Sequence, residues 1–407
     1  MPDSSTSHVD VIVIGAGAAG LAASRTLLAA GGAIAVLEAR DRIGGRAWTE
    51  PNLHGIAFDH GASFIHAEHL NPWTGIAKRL GVTTVIDPRH RKVFVGQRPA
   101  TESETAAFHA ARALAVDQVE SAARSGHQSS IAEAVEIDGP WASQARAALG
   151  PWLLGADNDV GDACDFADGI TGPDRLIRGG YGSLVQAYGR GVPVILDTPV
   201  QRIDYRGRDV LVTTTHGELR ARLAIVTLPV GVLASEQVAF LPALPLAKQR
   251  AIGALPMGLL AKVALRFDGD VFGHGDNYFL HHRSDDQRSA VYQVRPLGEN
   301  IVVAYVGGGL ARDLEQAGEK EAAAFVLEPL VAIFGAGVRS RLQGVRHTRW
   351  GSDRFALGSY AVPTPGSSRM RAVLAKPVAD RLLFAGEACA TDGWAATVAG
   401  AHLSGKR

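Results

Sequence analysis

Residues Ile14 to Arg46 read IGAGAAGLAASRTLLAAGGAIAVLEARDRIGGR, and the order of residue types in this stretch decides the fold. Just before it, Val9 to Ile14 is an apolar, β-branched run that predicts a buried parallel strand. The chain then turns through Gly15, Gly17 and Gly20 into an alanine-rich helix, Leu21 to Ala30, and Ala33 to Leu37 predicts a second strand closed by Glu38. Strand, glycine turn, helix, strand and acid in that order make a βαβ unit suited to a dinucleotide. Gly15 allows the tight turn, Gly17 lets the backbone approach a pyrophosphate, and Gly20 permits close packing of helix on strand. Free N–H groups at the helix start, Ala18 and Ala19, face the phosphates. Glu38 suits both ribose hydroxyls of an adenosine and disfavours a 2′-phosphate.

Composition narrows the rest. At 407 residues the chain suits two domains, taking about 150 residues for each. Lys plus Arg and Asp plus Glu are both 41, so no global field draws it to nucleic acid or to anionic lipid. Cys164 and Cys389 fit neither a disulfide framework nor a zinc spacing, which points to no metal and to a reduced, cytoplasmic setting. The N-terminal MPDSSTSHVD is polar and acidic where a secretory signal is basic and then apolar. No uninterrupted run of about 18 apolar residues predicts a membrane span.

Along the chain, Glu102 to Ala148 is alanine-rich and helix-periodic, which predicts a helical insertion. Strand patterns return at Val192 to Leu196, Val200 to Tyr205, Asp209 to Thr215 and Leu223 to Leu228. Leu260 to Phe267 and Ile301 to Tyr305 predict a second sheet, Leu310 to Phe334 is helix-prone, and Leu382 to Ala385 is the last apolar run. The fold class expected is α/β: a doubly wound dinucleotide-binding domain interleaved with an α+β domain. Residues 1–85, 178–235 and 375–407 are assigned to the first, and 86–177 and 236–374 to the second.

After Glu38 the sequence continues ARDRIGGRAWT, placing Ala39, Arg40, Gly44, Gly45 and Arg46 where a nicotinamide enzyme needs no second phosphate-approaching turn. This acid, arginine and GGR pattern resembles the flavin-containing amine oxidase family. Four further stretches are similar to that family, in order: DHGASFIHAEHLNPW from Asp59, RLIRGGYGSLVQAYGRGVPVILDTPVQRI through TLPVGVL, LPMGLLAKVALRFDGDVF from Leu255, and LLFAGEACATDGWAATVAGAHLSG near the end. The first of these most resembles the branch that holds polyamine oxidases and histone lysine demethylases. Phe64 stands there in place of the usual tryptophan, and Ala67 in place of a glycine.

The resemblance implies FAD as cofactor. It places Arg40 and Arg46 near the pyrophosphate and flavin, Val200 at the adenine side through its backbone, Gly386 and Glu387 near the ribityl–phosphate portion, and Thr397 and Val398 at the flavin ring. A helix N-terminus there favours the anionic reduced flavin. Lys262 is implied to hold a water against flavin N5. Tyr360, His66, Trp394 and Thr397 are implied to line the substrate cavity, where an aromatic face favours an amine. Ser359 stands where mitochondrial monoamine oxidases carry the cysteine joined to flavin, which implies non-covalent FAD. The activity implied is oxidation of an amine C–N bond, with dioxygen as acceptor and a polyamine or other alkyl amine as substrate. An L-amino acid oxidase, another flavin oxidoreductase of the same fold and a low-turnover flavin-binding scaffold are the alternatives.

Overall fold

The computed structural model describes residues 8–53 and 55–407, so the first seven residues of the polar N-terminal stretch lie outside it. The strand His8–Ile14 is flanked by two parallel neighbours, Ile34–Leu37 and Gly217–Val226, and Leu382–Phe384 runs parallel beyond the latter. Register brings the C-terminal ends of these strands level: Ile14 opposes both Leu37 and Val226, and Val226 opposes Phe384. A doubly wound sheet opens its ligand crevice at this edge. Here the chain leaves the strands as Gly15, Glu38, Thr227 and Ala385.

The first helix runs Ala18–Ala29, three residues earlier than the alanine-rich text suggests. Its N-cap is Gly17 in extended conformation, and an alanine run offers no apolar contrast to mark the first turn. This sheet also reaches past residue 235. Ala239–Leu241 pairs in parallel with Val200–Asp204, and Val238, Leu244, Ala251 and Ile252 join the core of Ile12, Ile14 and Val226.

The second sheet has the order Leu342–His347, Leu260–Phe267, Ile301–Gly307, Val291–Val294, Tyr278–His282, His90–Val95, Arg98–Pro99. Leu260–Phe267 falls on the residues expected from the sequence. Alternation along this strand gives it two faces. Ala261, Val263 and Leu265 pack beneath the helices Gly308–Ala317 and Glu319–Phe334, whose Leu310, Val326 and Leu330 are buried with them. Leu260, Lys262 and Ala264 point the other way, towards the hairpin side chains Leu53, Ile56 and Phe58. The helical insertion forms as Glu102–Arg124, Ile131–Ala134 and Ala142–Leu149, with its own core of Ala115, Val119, Ile131 and Leu149.

Candidate active site

The glycine turn is a cradle of bare backbone. Gly15 has φ +101°, a left-handed value that favours glycine, and a Cβ there would meet Thr227 Oγ1 at 2.5 Å. Gly17 and Gly44 form a parallel bridge, which sets the first glycine turn against the GGR turn. A Cβ on Gly45 would come within 3.3 Å of the Gly17 Cα. The helix at Ala18 starts without a side-chain cap and without an acid in its first turn, so its N–H groups are left for an anion.

Glu38 is 6% exposed and closes the cradle. Its Oε2 accepts from the Ala16 N–H at 2.7 Å and its Oε1 from the Arg40 N–H at 3.1 Å. Burial pushes this carboxyl up, against those two N–H groups and the charges of Arg40 and Arg42. Val200 begins the strand Val200–Asp204, which pairs with Val210–Thr214 and Ala239–Leu241 and not with the strand that ends before Glu38. Two and three residues earlier, the Thr198 and Asp197 N–H groups donate to the carbonyls of Glu38 and Arg40.

Arg46 joins the two ends of the chain: its Nη1 donates to Glu387 Oε1 at 3.0 Å and to the Ser359 carbonyl at 2.8 Å. Glu387 also accepts from the Ala361 N–H at 3.2 Å. Arg46, Thr227, Pro229, Gly386 and Glu387 line one cavity beside the glycine turn. Arg40 faces Asp353 at 2.9 Å. Thr397 caps the helix Val398–Lys406, accepting from the Gly400 N–H at 2.9 Å, and the Val398 carbonyl accepts from Trp73 Nε1. This helix packs on the first one so closely that a Cβ on Gly405 would lie 2.1 Å from the Ala19 carbonyl oxygen.

Lys262 is 5% exposed. Its Nζ donates to the Asp59 carbonyl at 2.8 Å, and also to the Gly61 carbonyl and Ser63 Oγ. Burial pushes the ammonium down to about 8, against the upward pull of the Asp59 charge. Three acceptors for three ammonium protons leave none over. In the neutral form the amine donates twice and accepts from the Ser63 hydroxyl. Lys262, Ser63, Tyr305 and Gln293 line a second cavity, with Tyr305 donating to Gln293 Oε1 at 3.0 Å.

Tyr360 is half-buried, and its hydroxyl donates to the Leu153 carbonyl at 2.7 Å, tying the segment before the GEACA turn to the insertion. Ser359 Oγ is held by both the N–H and the carbonyl of Leu260. His66 is half-exposed on the surface side, 3.2 Å from Asp174, and its ring lies 5.8 Å from that of Phe64. Burial raises the Asp174 carboxyl, but His66 and Arg89 outweigh it and hold the group below the usual range. Trp394 is 6% exposed and sits in the core of the nucleotide domain with Ala18, Ala385 and Ala399.

Two residues that the motifs do not mark complete the site. Asp59 is a buried carboxyl that accepts from Thr49 Oγ1 at 2.5 Å and the Tyr181 N–H at 3.0 Å, so it fixes the loop whose carbonyls hold Lys262. Arg42 donates to the Gly45 carbonyl at 2.9 Å, lies 4.6 Å from the Trp48 ring, and is pushed down to about 10, first by burial and then by Arg40. It braces the GGR turn from behind. Both lie inside quoted motifs, and only their tertiary partners reveal them.

A bare-backbone cradle, a buried acid beside it and an Arg46–Glu387 pair at the strand ends define a dinucleotide-binding flavoprotein, and these groups fit FAD. The chain belongs to the flavin containing amine oxidoreductase family, whose model matches residues 18–136 and 159–407, and its cofactor is FAD. It is 34% identical over 451 residues to lysine-specific histone demethylase 1 homolog 3 of Oryza sativa subsp. japonica, covering 100% of this chain and 54% of that protein. It is 28% identical over 431 residues to human lysine-specific histone demethylase 2, covering 98% of this chain and 52% of that protein. The chain therefore spans about half the length of these curated relatives. The structure of wild-type putrescine oxidase bound to putrescine matches with TM-score 0.83 at 20% identity, covering 98% of each chain, and has the same fold.

Proposed function

We propose that this enzyme oxidises the C–N bond of an alkyl amine, a polyamine first, with dioxygen as acceptor and FAD held without a covalent bond. The single observation that carries the reading is Lys262: a buried lysine, held by three oxygens, at the head of a cavity that reaches the flavin domain's loop Asp59–Ser63. When bound, FAD supplies the redox chemistry, taking a hydride from the amine's α-carbon and passing electrons to dioxygen to give imine, then aldehyde, and hydrogen peroxide.

The chain's own residues do the rest. Gly15, Gly17, Gly44 and Gly45 admit the dinucleotide, Glu38 takes its ribose, and Arg46 with Glu387 supplies a fixed charge pair beside the strand ends. Lys262, poised near pH 8, holds or releases a proton at Nζ, with Ser63 Oγ as the movable partner that yields a place to a water. Tyr360 presents an aromatic face, and His66 with Asp174 lines the approach. A second reading, a methylated lysine side chain as the alkyl amine, draws on the demethylase relatives at 34% identity.

The test is peroxide release from a panel of putrescine, spermidine, spermine, aromatic monoamines, L-amino acids and a methyl-lysine peptide. Polyamine-driven peroxide supports the first reading and peptide-driven peroxide the second. Yellow protein that no amine bleaches under anaerobic conditions overturns both. Lys262→Met should keep its FAD and lose most of the rate in one half-reaction. Acid precipitation should leave all the FAD in the supernatant, and flavin in the pellet would contradict the reading of Ser359.

A further inference from the structure

The second sheet carries a cluster of basic groups at the edge away from Lys262. Arg91 on the strand His90–Val95 lies opposite Phe279, and Val93 opposite His281, so all four side chains share one face. The helix Glu102–Arg124 covers that face. The Phe108 ring lies 4.9 Å from the His281 ring and 5.2 Å from the His109 ring, and the Arg112 guanidinium sits 5.6 Å from the same Phe108. Two strands and one helix thus bring Arg91, His109, Arg112 and His281 together.

None of the four is matched by an acid. Among the described residues neither the Arg91 nor the Arg112 guanidinium forms a hydrogen bond or an ion pair. His281 is 3% exposed, and neither of its ring nitrogens has a partner. The one carboxylate that bears on Arg91 is Asp87, already engaged by the Arg89 N–H at 3.0 Å and the Asn277 amide at 3.2 Å. Arg112 feels no acid. Burial and then Arg91 push it down to about 10, while burial and then Arg112, Arg91 and His109 push His281 well below its usual value. The partly buried Arg112 charge, set beside Arg91 on an apolar floor without a counter-charge, is costly, and an anion removes the cost.

We infer that Arg91, His109 and Arg112, backed by His281, form a binding site for an oxyanion, a carboxylate or a phosphate group, separate from the nucleotide cradle. Two guanidinium forks give such a group bidentate donors, and Phe108 keeps water from one side of it. The site lies four strands from Lys262 on the same face, about 19 Å at the usual strand spacing. The oxyanion is either a free small ion or an acidic side chain of a larger ligand, and the experiment separates these sources.

The experiment uses the FAD-bound protein, so that the nucleotide phosphates are already in place. Thermal midpoints are compared in chloride, in inorganic phosphate and in a short polyglutamate peptide, at matched ionic strength. A saturable rise of about 2 °C or more with at least one probe is expected. It should vanish in Arg112→Gln and in the exposed Arg91→Gln. Arg112→Gln should also raise the midpoint in chloride, because an uncompensated charge is gone; a merely structural arginine would lower it. A rise with phosphate alone assigns a free ion, and a tighter response to polyglutamate assigns an acidic segment. No saturable rise with either probe, or an equal rise in Arg91→Gln, overturns the inference.

Discussion

Lys262 works against the fold that holds it. Its ammonium has a usual value of 10.5 and is pushed down to about 8 by burial. Between about pH 8 and 10.5 the unfolded chain therefore binds more protons than the folded one, and the stability contributed through this group rises with pH over that window. Below pH 8 both states are protonated and the full cost is present, on the order of 3 kcal/mol. Lys262→Met should accordingly gain stability relative to wild type at pH 7, and the gap should narrow as pH climbs towards 10.5. Denaturant midpoints measured across that range check it, and a gap constant with pH would show that the lysine is not desolvated. Nothing in the run LLAKVALRF announces this, since a lysine in an apolar strand ordinarily snorkels out to water. What made it legible was the family pattern around it. Asp59, whose loop supplies all three of its acceptors, had no such signal, because its partners Thr49 and Tyr181 stand 10 and 122 residues away.

At the scale of elements, the three glycines after Ile14 do different work, and substitution separates them. A Cβ on Gly17 meets only the Gly45 Cα at 4.0 Å, and the residue already has an ordinary φ of −76°. Gly17→Ala should therefore keep the free protein's midpoint while losing FAD, because the methyl fills the space that a pyrophosphate needs. A Cβ on Gly20 would lie 1.9 Å from the Gly15 carbonyl oxygen, so Gly20→Ala must separate helix from strand. It should cost several kcal/mol, as overpacking a tight contact does. FAD titration by fluorescence and thermal melts of the flavin-free proteins distinguish the two outcomes, and a free Gly17→Ala protein as unstable as Gly20→Ala would remove the distinction. The glycine unit was readable because strand, turn and helix follow one another in sequence. His90–Val95 and Tyr278–His282 were not, since charged and histidine residues interrupt their apolar pattern and only pairing with a distant strand defines them. Ala239–Leu241 was hidden for the same reason: it is a strand only because Val200–Asp204 lies beside it.

Across the whole molecule, the groups proposed to hold FAD come from every part of the chain. Gly15 to Arg46 supplies the cradle, Asp59 to Ser63 holds Lys262 of the second sheet, and Ser359 and Glu387 are tied to Arg46. On that proposal bound cofactor would act on both sheets at once. A ligand that binds only the folded state stabilises it by about 2.7 kcal/mol at 100 times its dissociation constant. The stabilisation should appear in both domains, as slower amide exchange in Leu260–Phe267 as well as in His8–Ile14 when FAD is added to the free protein. Slowing confined to His8–Ile14 would mean that the second sheet opens independently of the cofactor. The Asp59–Ser63 bridge to Lys262 would then be too weak to couple the domains. Equal slowing in both, abolished together by Gly17→Ala, is the result expected of a site shared by two interleaved halves.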